Sequence, residues 1–210
     1  MRRDRPLVMA IVNRTPDSFY DRGATYGTEE ALEAAERAVA EGADIIDVGG
    51  VKAGPGTDVD VAEETRRVVP FVAELRSRFP DIAISVDTWR HEVGRRQDLG
   101  VPAEGLLVDP THDFGKNTWH SLALTRDLGR LVDTGWPVLV ALSNKDFVGE
   151  ALDLPVDRRL HGTLAATAVC AWQGAAVFRA HNVAETCQAL DMVAVIKGDK
   201  PPAHVIRGLV

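Results

Sequence analysis

The 210-residue chain has only two cysteines, few aromatics (6%) and no long apolar run. Cys170 and Cys187 form neither a CxxC pair nor a zinc-ligand spacing, so a disulfide-dense or zinc-stapled scaffold is excluded. A reduced, cytoplasmic setting is the expectation. The longest apolar stretches, such as PVLVAL at 137–142, fall far below the ~20 residues of a spanning helix. The opening MRRDR lacks the apolar segment of a signal peptide. Basic residues are outnumbered, 24 against 31 acidic, for a net charge of −7. No basic stripe breaks that balance, so a nucleic-acid partner is not expected. No GxGxxG follows the first apolar run, which removes support for a dinucleotide fold.

What is present is one rhythm. Apolar runs begin at LVMAIVN (7–13), ADIIDVGG (43–50), IAISVDTW (82–89), GLLVDP (105–110), PVLVALSN (137–144) and AAVFRAHNV (175–183). Helical patterns follow them. One starts at Thr28 as N-cap and stops at Gly42; others cover Val61–Arg78, Ser121–Val132, Pro155–Trp172 and Ala184–Ile196, with a weak one over 91–100. The alternation predicts six strand–helix units and a parallel sheet covered by helices, either open or closed as a (β/α) barrel. No linker divides the chain, so a single domain over 1–210 is expected.

Each apolar run ends in polar residues: Asn13, Asp47, Asp87, Asp109, then Ser143, Asn144 and Lys145, then Arg179 and His181. Parallel strands send their C-terminal ends to one face, where such folds bind ligands. Any one of these acids can simply hold a turn, but six polar strand ends together favour a site. Carboxylates suit a heterocycle rich in N–H donors; Asn, Arg and His suit an anion. Asn13 or a nearby acid can contribute to Mg²⁺, which takes few protein ligands.

The ordered segments NRTPDSFYDRG, DIIDVGG, SVDT, DPTHDFGK, SNKDFVGE and RAHNV resemble the dihydropteroate synthase (pterin-binding) family, and particularly its synthase-like second paralogue in actinobacteria. The resemblance runs from about Pro6 to Ile196 and implies a TIM-type barrel. It implies condensation of 6-hydroxymethyl-dihydropterin diphosphate with p-aminobenzoate in folate biosynthesis, with Mg²⁺ and, by analogy, a homodimer. By the same resemblance, Asp87 and Asp109 bind the pterin and Lys145 contacts it beside the p-aminobenzoate site. Arg179 and His181 bind diphosphate, Asn13 lies near the Mg²⁺, Asp47 supports the floor, and Phe19 and Phe114 belong to the site loops.

Three departures temper this. The family's Gly-Glu-Ser-Thr-Arg-Pro-Gly loop is Gly50–Gly56 here, with Ala53 and Gly54 where threonine and arginine grip p-aminobenzoate; Lys52 is the cation left to take up that charge. Thr111 and Asp113 replace two glycines, and Asp113 and Asp146 add acids where the aminobenzoate carboxylate would lie. The family's fourth and fifth βα units are missing around Arg96 and Gln97, leaving six of eight; loss from the gene and removal from this chain both account for that. A catalytically inactive paralogue with a pterin/phosphate pocket, or a transferase with another second substrate, therefore stands beside the synthase reading.

Overall fold

The structure, a computed structural model, describes residues 4–15, 27–51, 59–87 and 107–207. Its strands are β1 (Leu7–Asn13), β2 (Ile45–Gly49), β3 (Ala83–Asp87), β4 (Leu139–Val140) and β5 (Val177–Ala180), all parallel in the order β3-β2-β1-β5-β4. Side chains alternate across the sheet. Val8, Ala10, Val12, Ile46, Val48, Val140 and Phe178 enter the main core under the helices. Met9, Leu139, Ala141 and Val177 form a separate cluster on the opposite, inner face. Both faces are apolar, which is why the strands read as continuous hydrophobic runs.

The helices are α1 (Thr28–Ala40), α2 (Val61–Arg78), α3 (Thr118–Arg126), α4 (Leu128–Val132), α5 (Asp146–Leu152), α6 (Leu160–Trp172) and α7 (Val183–Lys197). In α2, Asp60 caps the Glu63 N–H at 2.8 Å and Val68, Phe71 and Leu75 form one buried stripe. Each such side chain contributes about 1.5–3 kcal/mol on burial. At α1 the cap position falls on Gly27, and the Thr28 hydroxyl instead accepts from Arg14 Nη2.

Three further expectations need correction. The helix expected over Pro155–Trp172 is a 3₁₀ turn at Val156–Arg158 followed by α6, which starts at Leu160. The segment expected as one helix over Ser121–Val132 begins at Thr118, capped by Asn117, and breaks at Asp127 into α3 and α4. Of the expected fourth strand, GLLVDP, the described residues 107–110 form one parallel bridge, between Val108 and Val138. Val108 N–H donates to Pro137 O and Leu139 N–H to Val108 O, both at 2.9 Å. Among the described residues a strand there has a neighbour on one side only, and β3 is in the same position at the other end. Among the described residues the barrel wall does not close between them. The cost is visible: β3 runs from exposed Ala83 through half-buried Ile84 and Val86 to exposed Asp87, whereas Val8 and Val12 of β1 are fully buried. The helix expected over 91–100 and the junction at Arg96–Gln97 lie outside the described residues. Among the described residues no helix is long and apolar enough to cross a membrane.

Candidate functional site

Strand alternation assembles the site. Asn13, Asp47, Asp87 and Arg179 share the parity of the inner-face residues on their strands, and Asp109, Ser143 and His181 continue that parity at the ends. Register sets their heights: Arg179 lies opposite Met9, Asp47 opposite Ile11 and Ser85, and Asp87 opposite Gly49, itself opposite Asn13. At Gly49 a Cβ would meet Asn13 Oδ1 at 3.0 Å, so a side chain there would need the asparagine to give by a few tenths of an ångström.

A cavity of about 570 Å³ opens on this inner face, within the range of small-molecule sites. Asp47, Asp87, Asp109, Phe114 and Arg179 line it, over a floor of Met9, Ser85, Leu139 and Ala141. Sequence reading missed the floor residues, although strand parity was the signal that marks them. Asn13, Lys145 and His181 lie outside this lining. Phe19 and Lys52 fall outside the described residues.

Arg179 links the acids. Its Nε donates to Asp47 Oδ2 at 2.6 Å and its Nη2 to Asp87 Oδ2 at 3.1 Å. Asp47 is buried (3% exposed side chain), whereas Asp87 is 58% exposed. Asp87 nevertheless loses hydration at its carboxyl, which raises it above the usual carboxylate range; Arg179 opposes the rise, and Asp47, Glu64 and Asp109 add to it. Asp109 accepts the Thr111 N–H at 2.8 Å through Oδ1.

The loop after Asp109 keeps a glycine-like backbone without the glycines: Thr111 and Asp113 have φ of 55° and 66°. For a β-branched threonine this is costly, by about 1–2 kcal/mol. Lys116 offsets it by donating to Thr111 Oγ1 (2.7 Å), Thr111 O and Phe114 O. The Asp113 side chain is tied into its surroundings by two hydrogen bonds. Its carboxylate accepts from Ser121 Oγ at 2.8 Å and from Phe147 N–H at 3.2 Å, capping α5 from outside the helix. Asp146 is exposed and paired with Arg159 at 2.8 Å.

Lys145 donates to His112 O, and its ammonium lies 4.5 Å from the centre of the Phe114 ring. Desolvation lowers its pKa to about 8, with Asp109 and Asp113 opposing. His112 is fully buried and held down to about 4, chiefly by desolvation and then by Lys145. Thr125 Oγ donates to Ser121 O, so the His112 Nε2–H donates to Thr125 at 3.2 Å. His181 is likewise neutral, lowered to about 3 by burial and by Arg179. Ser143 Oγ accepts the His181 N–H at 3.2 Å and lies 3.1 Å from Nδ1, a contact in which either group can donate.

Asn13 carries an amide oxygen of the hard type that Mg²⁺ takes. Among the described residues no three His, Cys, Asp or Glu side chains converge on a metal position.

Comparison with known proteins agrees with this geometry. The family model described as pterin binding enzyme matches residues 9–97 and 94–181. The protein named inactive dihydropteroate synthase 2 of Mycobacterium leprae is 47% identical over 278 aligned positions, covering 98% of this chain and 96% of its own. The Yersinia pestis dihydropteroate synthase, solved with a sulfonamide drug, superposes with a TM-score of 0.87 at 30% identity, covering 95% of this chain and 97% of its own. The Coxiella burnetii dihydropteroate synthase, solved with pteroic acid, gives 0.85 at 25% identity, over 95% and 96% of the two chains. The inner-face acids and arginine, the α/β barrel wall and these matches lead to one assignment: the chain belongs to the pterin-binding enzyme family, as a dihydropteroate synthase-like protein of the TIM-barrel fold.

Proposed function

We propose that the chain binds 6-hydroxymethyl-dihydropterin diphosphate in the inner-face cavity. The observation that carries this is the convergence of Asp47, Asp87, Asp109 and Arg179 around one opening. Asp87 and the free oxygen of Asp109 accept the N–H donors of the pterin. Arg179, His181 and Asn13 meet the diphosphate, and Mg²⁺ bound with it would supply charge neutralisation there. In the condensation with p-aminobenzoate, the bond from the pterin methylene carbon to the diphosphate oxygen breaks and a bond to the aniline nitrogen forms, with loss of a proton. The chain's part in this is positioning and electrostatics, with no protein nucleophile.

The p-aminobenzoate end is carried by less. Phe114 lines the cavity, with the Lys145 ammonium 4.5 Å from its ring centre, while Ala53 and Gly54 replace the family's gripping threonine and arginine. The Mycobacterium leprae relative bears the name inactive. These favour a pterin-diphosphate binder with weak or absent synthase activity, and we take that as the better reading. Two measurements test it. Calorimetry should show the pterin diphosphate binding to the native chain, and binding should be lost in Asp87→Ala and Lys145→Ala. A p-aminobenzoate-dependent release of diphosphate at family rates would overturn the binder reading in favour of the synthase.

The domain organisation follows the same reading: one domain over 1–210 in which two βα units are missing near 96–97. It is supported by the 278 aligned positions against 210 residues and by the family match in two stretches. A homodimer is supported by Val169 and Trp172 of α6 and Met192 and Ile196 of α7, all exposed on neighbouring helices. Sedimentation should give a dimer that Trp172→Glu dissociates. A cytoplasmic setting suits the two free cysteines, of which Cys170 is buried and pushed up to about 12.

A further inference from the structure

We propose that Arg179 is a latch that makes the site select a pterin carrying its diphosphate over a pterin without one; this rests on the pterin-diphosphate reading above. The guanidinium presents the same planar fork of N–H donors that an aminopyrimidine ring presents to a carboxylate. With Nη2 on Asp87 Oδ2 it occupies an acceptor that the pterin needs. Its two contacts are unequal. The Nε bond to Asp47 is 2.6 Å and ends on a buried carboxylate, whereas the Nη2 bond is 3.1 Å and ends on an exposed one. The guanidinium therefore pivots on Asp47 and releases Asp87.

A free pterin must break the Asp87 contact and gives the arginine nothing in return. A diphosphate gives it a replacement partner. Both halves of the ligand thus pull Arg179 the same way, and each lowers the cost of binding the other. Thermodynamic linkage makes that coupling reciprocal. Because the broken contact is solvent-facing, the coupling belongs at the low end of the usual range, roughly fivefold.

The experiment is a set of calorimetric titrations. 6-Hydroxymethylpterin is titrated into the native chain with and without saturating inorganic diphosphate, and diphosphate with and without the pterin. Each should tighten the other by the same factor, about fivefold. Arg179→Gln, which keeps a donor for Asp47, should bind the pterin at least as tightly as the native chain does alone, with no response to diphosphate. Circular dichroism checks that it folds, and the reciprocal titrations need no variant. A native chain whose pterin affinity ignores diphosphate overturns the latch, as does weaker pterin binding by the folded variant. If free pterin and pterin diphosphate both bind equally well, only the latch fails. If neither binds to either protein, the pterin-diphosphate reading fails and the latch with it.

Discussion

The centre of the sheet and its two ends bear the same kind of residue under different physical conditions. Asp47 sits on β2, with β1 on one side and β3 on the other, and is sealed against Arg179. Asp87 sits on β3 and Asp109 beside the Val108 bridge, each with a sheet neighbour on one side only among the described residues. The acids expected to grip the pterin are therefore on the weakest part of the wall. The acid that holds the arginine is on the strongest. An incomplete barrel loses definition first where the heterocycle is held and last where the floor is anchored.

The largest expected effect breaks that comparison if it fails. Asp47→Ala leaves the Arg179 guanidinium partly buried without its main partner and should cost about 3 kcal/mol in urea unfolding. Asp87→Ala should cost less than about 1 kcal/mol, because its pair with Arg179 is solvent-facing. Equal costs for the two would mean that the gap does not weaken β3.

The second effect is on pH. His112 is neutral in the fold, at about 4 against an ordinary 6.5, mainly through desolvation. The unfolded chain takes up its proton first as pH falls. Stability from this residue is complete above about 6.5 and declines toward 4, by about 1.4 kcal/mol per pH unit. His181, lowered to about 3, adds a decline of the same sign. Unfolding curves at pH 7 and 5 should show it, and His112→Gln should flatten part of the slope. No change between those pH values would mean the histidines are hydrated in the fold.

Much of the frame was legible in the sequence. Val61–Arg78 carries its own cap and apolar stripe, and α2 has those bounds. The polar strand ends at Asp47, Asp87, Asp109 and Arg179 do meet around one cavity. What was illegible depends on distant partners. GLLVDP has the pattern of a buried strand, but strand length is fixed by neighbours on both sides. The seven-residue α5 has Lys145 at its N-cap and takes its capping carboxylate from Asp113, across 34 positions of chain. The inward turn of Arg179 to Asp47 spans 132 positions and has no local signature. The neutral state of His112 follows from burial that no spacing encodes.

The smaller effects test whether the loop on the gap side is as well built as the centre. Asp113→Ala removes both the Ser121 contact and the external cap of α5, and should cost about 1–2 kcal/mol in thermal or chemical unfolding. Asp146→Ser removes an acid that is 76% exposed and paired with Arg159. Arg159 keeps its bonds to Asn144 O and Leu154 O, so stability should change by less than about 0.5 kcal/mol. The same variant separates two accounts of the p-aminobenzoate end. If Asp146 repels the aminobenzoate carboxylate, removing it should tighten p-aminobenzoate in the presence of pterin and diphosphate. The Arg159 pair already balances that charge, so the expected change in affinity is less than twofold, leaving the Ala53–Gly54 replacement as the reason for weak binding.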